Sequence, residues 1–260
     1  MKQAAATSGA HVPALLHQAL ASQAAAEFVL ASGYDGLIVD LQHGEVGLEE
    51  ACRMLRAIPR EHSEYAYARV GSIDAAAILR LLDSGARGII APTVETQEQA
   101  SQLVAATKYP PLGNRSLGPS RPALYPGQDY TAAGNRAVSA VVQIETRAGL
   151  ENVDAIFAVE GIDSVYIGPA DLAVSYGLPG RGDWADGPVR DAIVELSGKA
   201  RTAGLTLGIY CDSAEYAKGL LEDGLVDYVG LGIDLVFLNT MAHSAIKALR
   251  SEQWATTPTS

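Results

Sequence analysis

Cysteine is nearly absent from the 260 residues: Cys52 and Cys211 form no Cys-x-x-Cys pair, so neither a disulfide framework nor a thiolate zinc site is indicated. Both read as small buried hydrophobes. Positive charge is also scarce, with 19 Lys and Arg against 30 Asp and Glu and a net charge of −11. No stretch gathers the basic residues into a stripe, which argues against a nucleic-acid partner. No run reaches the ~20 apolar residues needed to span a bilayer, and the residues after Met1 and Lys2 show no apolar signal core. No membrane association and a cytoplasmic location are therefore expected. Also missing are a Gly-x-Gly-x-x-Gly after the first strand and a Gly-Lys-Ser/Thr phosphate loop.

What the chain does contain is 48% hydrophobic and 19% charged residues, enough to bury a large core. One pattern repeats: a short β-branched run, a polar turn and an Ala/Leu-rich stretch of helical period. Strands are expected at Ala14–His17, Gly36–Asp40, Tyr65–Val70, Gly88–Pro92, Ala140–Glu145, Ser164–Gly168, Thr206–Tyr210 and Tyr228–Gly232. Helices are expected at Ser22–Ala31, Leu48–Ile58, Asp74–Asp83, Thr96–Thr107, Arg147–Ala158, Pro188–Ala203, Ser213–Asp223 and Asp234–Leu249. Eight alternations within a length close to the ~250 residues typical of a TIM barrel favour a single α/β (β/α)8 barrel over an open doubly wound sheet. The expected organisation is an N-terminal arm (1–12), the barrel (13–250) and a polar C-terminal tail (251–260). The periodicity breaks between Tyr109 and Asn135, where Pro, Gly, Asn and Arg suggest a shaped functional loop.

In such a barrel the chemistry comes from the C-terminal strand ends and the loops after them. Reading down those ends gives Asp40, Gln42, His43, Arg69, Gln143, Glu145 and Asp171. Gln143 and Glu145 are two apart on one strand and share a face. Glu145 and Asp171 suit a divalent ion that keeps water or substrate in its other positions, or, equally, Glu145 pairs with an Arg while Asp171 caps the following helix. His43 reads as a base oriented by Asp40 or as a hydrogen-bonded structural group. Arg69, within a buried strand, requires an anion: Asp83 or Glu145 as an ion-pair partner, or a developing oxyanion on a substrate.

Asp40-Leu-Gln-His43-Gly, Gly85-Ala-Arg-Gly-Ile-Ile-Ala-Pro92-Thr-Val-Glu95-Thr, Tyr109-Pro-Pro-Leu-Gly-Asn-Arg115, Gln143-Ile-Glu145-Thr and Ile167-Gly-Pro-Ala-Asp171-Leu together resemble the HpcH/HpaI aldolase family. The ordered matches run from about Gly33 to Asp234. The resemblance implies a metal-dependent class II aldolase that reversibly cleaves a 4-hydroxy-2-oxo acid to pyruvate, or a related 2-oxo acid, and an aldehyde. It also implies a divalent ion (Mg2+, Mn2+ or Co2+) on Glu145 and Asp171, His43 as base, Arg69 as oxyanion-stabilising cation and Gln143 as a polar contact. Asp83 is implied to assist the base across a subunit boundary. The Gly168-Pro-Ala-Asp171 turn would bind the substrate carboxylate through the N–H groups of Ala170 and Asp171, since Pro169 has none. Members generally form hexamers, trimers of dimers that exchange the last helix.

No expected strand carries the lysine that Schiff-base aldol chemistry requires. Gln42 stands where many members have Glu, lowering the charge beside His43, and Arg115 to Tyr125 fits the family's loop only in outline. Two alternatives are an acyl-CoA ester lyase of the citramalyl or malyl type and a non-catalytic ligand-binding barrel. The first lacks a basic cluster for the CoA phosphates on its mouth loops. The second would be expected to have lost His43, Arg69 or a carboxylate. Oxaloacetate decarboxylation is a conceivable side reaction of the same site. On the final helix, Leu235, Leu238, Met241, Ala242, Ala245 and Leu249 share one face, widened by Phe237 and Ile246. Packing on the chain's own strands would account for an apolar face, and an exchanged helix would account for its breadth.

Overall fold

A computed structural model describes residues 11–118 and 129–250, so most of the expected N-terminal arm, the polar tail and part of the Arg115 to Tyr125 segment lie outside the described residues. Eight parallel strands close in chain order into a barrel. They are β1 (Ala14–Gln18), β2 (Gly36–Asp40), β3 (Ala66–Arg69), β4 (Gly88–Ala91), β5 (Ser139–Ile144), β6 (Ser164–Ile167), β7 (Thr206–Cys211) and β8 (Tyr228–Ile233). The sheet closes where Ala14 and Leu15 of β1 pair with Val229 and Gly230 of β8. Each expected strand is present, with ends shifted by a residue or so. Among the described residues no strand contains lysine.

Around the barrel run α1 (Gln23–Ala31), α2 (Leu48–Ala57), α3 (Ala75–Ser84), α4 (Gln97–Thr107), α5 (Tyr130–Ala137), α6 (Arg147–Glu151), α7 (Val153–Phe157), α8 (Pro169–Ser175), α9 (Gly187–Ala203), α10 (Ala214–Glu222) and α11 (Asp234–Arg250). Local chemistry sets the starts. Ser22 and Ser213 accept first-turn amides, and Thr96 and Gln99 form a reciprocal capping box. The helix expected over Arg147–Ala158 is broken in two at Asn152, whose side-chain amide donates to the Glu95 carbonyl. Three elements escaped sequence reading: a 3-10 helix at Arg60–Tyr65, α8, and α5 inside the supposed loop. In α5 a helix-weakening Gly134 disguises the pattern, yet a Cβ there would lie 2.9 Å from the Tyr109 ring.

The main apolar core lies between strands and helices, with residues such as Val39, Ile89, Val142, Ile167 and Ile209 fully buried. A second cluster fills the barrel: Leu15, Ile38, Tyr67, Ile90, Val141, Tyr166 and Tyr228. At ~1.5–3 kcal/mol for each large side chain, these layers account for much of the barrel's stability. Above them, Tyr166 Oη lies 2.7 Å from His17 Nε2, and Gly230 leaves the space, since a Cβ there would come within 1.9 Å of Tyr166 Oη. Burial, with the Arg69 charge nearby, drives His17 down to about 3, so the imidazole is neutral. Both cysteines are buried, and burial with the Asp183 and Asp212 charges pushes Cys211 up to about 12, as befits a core side chain.

The last helix corrects the packing expectation. In α9 the face of Val189, Ala192, Ile193 and Leu196 is buried, but in α11 only Asp234 is. Leu238 is 61% exposed, Met241 68% and Leu249 76%, so the chain's own strands do not cover the apolar face. Asp234 anchors the helix by accepting from the amides of Ala19 and Leu20, each at 3.0 Å. Among the described residues no helix is long and apolar enough to cross a membrane.

Candidate active site

The polar residues expected at the strand ends meet at the C-terminal mouth of the barrel. Asp40 ends β2 and Arg69 ends β3, and they stand opposite each other in register. Arg69 donates through Nε to Asp40 Oδ1 at 3.0 Å and through Nη2 to Oδ2 at 2.6 Å, a two-point pair in which both side chains are largely buried. Burial alone would raise the Asp40 carboxyl, but the Arg69 contacts outweigh it and hold the carboxyl below its ordinary value. Arg69 therefore pairs with neither Asp83 nor Glu145. Its buried anion is the carboxylate one strand away, a neighbour that register alone reveals.

Asp40 also does not orient the imidazole of His43. Its Oδ1 accepts the backbone amides of Gln42 (3.0 Å) and His43 (3.3 Å), fixing the turn that carries His43, whose side chain is exposed at the mouth. The effect on His43 is placement through the main chain.

Glu145 lies one residue past β5 and is 2% exposed. It has no arginine partner among the described residues. Oε1 accepts from Thr93 N (2.7 Å) and Thr93 Oγ1 (2.9 Å), and Oε2 accepts from Gln143 Nε2. Burial raises the Glu145 carboxyl above its ordinary value; the Thr93 contacts oppose this, and the Asp171 carboxylate nearby adds to it. Sequence reading missed Thr93. It has a φ of 51°, an uncommon conformation for a β-branched residue, and in it both its amide and its hydroxyl reach Glu145. A β-branched residue just past Pro92 gives no outward sign of that role.

Gly168 precedes Pro169, the first residue of α8, and a Cβ on it would lie 2.5 Å from Glu145 Oε2 and 2.9 Å from Gln143 Nε2. Glycine is required here so that β6 and α8 can close over the Gln143 and Glu145 pair. Asp171 is an exposed first-turn acid of α8 and not its cap, a position held by Gly168. The amides of Ala170 and Asp171, in that same first turn, begin the helix beside Glu145.

Asp83 lies elsewhere. It is near the end of α3, which runs back towards the N-terminal ends of the strands, and it accepts from Arg115 Nη2 at 2.9 Å. The structure does not bring it to the mouth of its own barrel.

Among the described residues no group of three or more His, Cys, Asp or Glu side chains could hold a metal. The donor set at the mouth is smaller and made of oxygen: the Glu145 carboxylate, the Asp171 carboxylate and Gln143 Oε1, a buried atom without a hydrogen-bond partner. Such a set suits a hard divalent cation that keeps other ligands. The sequence profile of the HpcH/HpaI aldolase/citrate lyase family matches residues 14–239. The chain belongs to this family. It is a carbon–carbon lyase of the aldolase type. It is 38% identical over 226 residues to a hydroxypyruvate/pyruvate aldolase of Rhizorhabdus wittichii, covering 87% of this chain and 89% of the relative. It is 36% identical over 236 residues to a 2-keto-3-deoxy-L-rhamnonate aldolase of Salmonella gallinarum, covering 89% and 86%. A crystal structure of a family member from Burkholderia cenocepacia superposes with a TM-score of 0.81 at 30% identity, covering 92% of this chain and 95% of that one.

Proposed function

We propose that the enzyme reversibly cleaves a 4-hydroxy-2-oxo acid to pyruvate, or a closely related 2-oxo acid such as hydroxypyruvate, and an aldehyde, with a divalent ion (Mg2+, Mn2+ or Co2+) held by Glu145 and Asp171. The observation that carries this reading is Glu145: a buried carboxylate held by neutral donors, beside a second carboxylate and the unpartnered Gln143 Oε1. No cation of the protein pairs with it among the described residues. Metal at this position supplies the positive charge that makes a 2-oxo group a better electron sink.

The chain's own residues do the rest. The amides of Ala170 and Asp171 bind the substrate carboxylate, and Gln143 and Gly168 form the wall beside it. Arg69, its guanidinium fixed by Asp40, places positive charge at the oxyanion of the 2-oxo group. His43 accepts the proton of the C4 hydroxyl as the C3–C4 bond breaks and returns it in the synthetic direction. Asp83, displaced from its own mouth, fits the expectation that it assists His43 of a neighbouring subunit. The exposed apolar face of α11 supports exchange of that helix between copies, within a hexamer built as a trimer of dimers. We place the enzyme in the cytoplasm.

The test is pyruvate release from a panel of 4-hydroxy-2-oxo acids, with and without chelator, in wild type and Glu145→Ala. Loss of activity in both, restored to wild type alone by added Mn2+ or Mg2+, is expected. Full activity of Glu145→Ala in chelator would overturn the assignment.

A further inference from the structure

The opposite end of the barrel holds a cavity of about 490 Å³ between the turns that precede β3, β4 and β5. Four arginines line it: Arg56 from the last turn of α2, Arg60 from the 3-10 helix, Arg87 before β4 and Arg115 beyond α4. No carboxylate lines it among the described residues. In a protein with a net charge of −11, such a concentration of one sign is unexpected.

The pairing of these cations sharpens the point. Arg53, Arg80, Arg147 and Arg190, on the outer surface, each have a carboxylate partner. Of the cavity arginines only Arg115 has one among the described residues, Asp83. Arg56 donates to the neutral Ser84 Oγ at 2.9 Å, and Arg60 and Arg87 have no carboxylate within salt-bridge distance among the described residues. Arg115 is further constrained. Its side chain is 3% exposed and lies over the Tyr109 ring at 4.5 Å, and its Nε is buried without a hydrogen-bond partner. A buried, unpaired guanidinium N–H is costly unless an acceptor arrives. Leu55, Leu82 and Val138 supply apolar wall between the charges, and Ser63 and Tyr130 supply hydroxyl groups.

We propose that this cavity is a binding site for a small organic molecule carrying at least two anionic groups, phosphates or carboxylates, on a partly apolar body. A guanidinium fork matches either oxyanion with two parallel hydrogen bonds, and several unpaired forks favour a ligand of multiple charge. The volume lies within the range of small-molecule sites, and the apolar wall suits an organic body better than an inorganic ion. The site is distinct from the catalytic mouth of its own barrel, and its one link to the reaction proposed there is Asp83, the partner of Arg115. A ligand anion reaching Arg115 shares that guanidinium with Asp83.

Isothermal titration of the full chain with ADP, citrate, inorganic pyrophosphate and inorganic phosphate tests this. Saturable binding of ADP or citrate is expected, at least about tenfold tighter than inorganic phosphate and weakening with salt. ADP against citrate identifies the preferred anionic group. Arg60→Gln combined with Arg87→Gln should weaken binding at least about tenfold, and Ala133→Trp, which fills the cavity without altering its charge, should abolish it. Neither change touches the mouth, so pyruvate release in the absence of added anion should stay at the wild-type rate. Failure of both organic anions to bind would overturn the proposal. So would binding unchanged by the arginine variants, or binding lost only in Glu145→Gln, which would place the anion at the mouth. A change of oligomeric state in the arginine variants without any anion binding would make the cavity a contact between copies and equally defeat it.

Discussion

The two ends of the barrel hold their charges in contrasting ways. At the mouth, the buried negative charge of Glu145 is gripped by the amide of Gln143 and by the amide and hydroxyl of Thr93, all neutral. At the N-terminal end, Arg56 is gripped by the hydroxyl of Ser84, while Arg60 and Arg87 have no carboxylate partner among the described residues. Beside each lies a fully paired ion: Asp40 with Arg69 at the mouth, Lys108 with Asp163 at the other end, both at 2.6 Å. An ion-binding site is a charge positioned by groups that do not cancel it, and a structural ion pair is one whose partner is already present. The pair and the site look alike in sequence, because both are a charged residue near a strand end.

The contrast can be broken first at Glu145. Glu145→Gln preserves shape and removes the charge, so chelator-sensitive pyruvate release should fall by about 1,000-fold or more while thermal unfolding changes little. Retained activity would mean that the neutral grip is structural only. Arg69→Lys keeps the charge but loses the planar fork; aldol cleavage should fall by about 100- to 1,000-fold, measured as kcat with saturating substrate.

Asp40→Asn tests the paired ion. A buried Arg69 without its anion should cost about 3–5 kcal/mol in denaturant unfolding at neutral pH. The sign of the pH dependence follows: the folded-state pKa of Asp40 is lowered, so the stabilisation exists above the unfolded carboxyl's pKa and is lost as pH falls through the folded value. The variant should lose that acidic limb of the stability profile.

His17 contributes an acid sensitivity of the same sign, over a higher pH window. Its pKa falls from 6.5 to about 3 on folding, so below pH 6.5 the unfolded chain takes up a proton that the folded one refuses. Stability should decline from about pH 6.5 towards 3, by at most about 1.4 kcal/mol per pH unit from this group, and His17→Gln should flatten that slope. An unchanged slope would mean that the ring is solvated. The smallest effect is expected at Arg87→Gln, which has no carboxylate partner to lose among the described residues: within about 0.5 kcal/mol of wild-type stability, with catalysis unchanged.

Much of this was legible before any coordinates. Alternating β-branched and Ala/Leu-rich segments specify eight strands and most of their helices because burial on a barrel imposes those periods directly. Asp40, His43, Arg69, Gln143, Glu145 and Asp171 could be read as mouth residues because strand ends are visible as the last apolar position before a polar turn. Thr93 could not, since its contribution is a positive φ and a backbone amide, neither of which its residue type announces. α5 was hidden by Gly134, which is there for the Tyr109 ring and not for the helix.

The sequence by itself determined the barrel, the family and the residue types that gather at its mouth, because these follow from local periodicity and from motifs in fixed order. Only the tertiary structure decided who partners whom. It joined Arg69 to Asp40 instead of Asp83, carried Asp83 to the far end with Arg115, assembled a cavity from arginines scattered between positions 56 and 115, and left the apolar face of α11 uncovered. The physical reason is that strand register and loop return set which side chains are neighbours across tens of residues, and a charge acquires its role from the neighbour it meets.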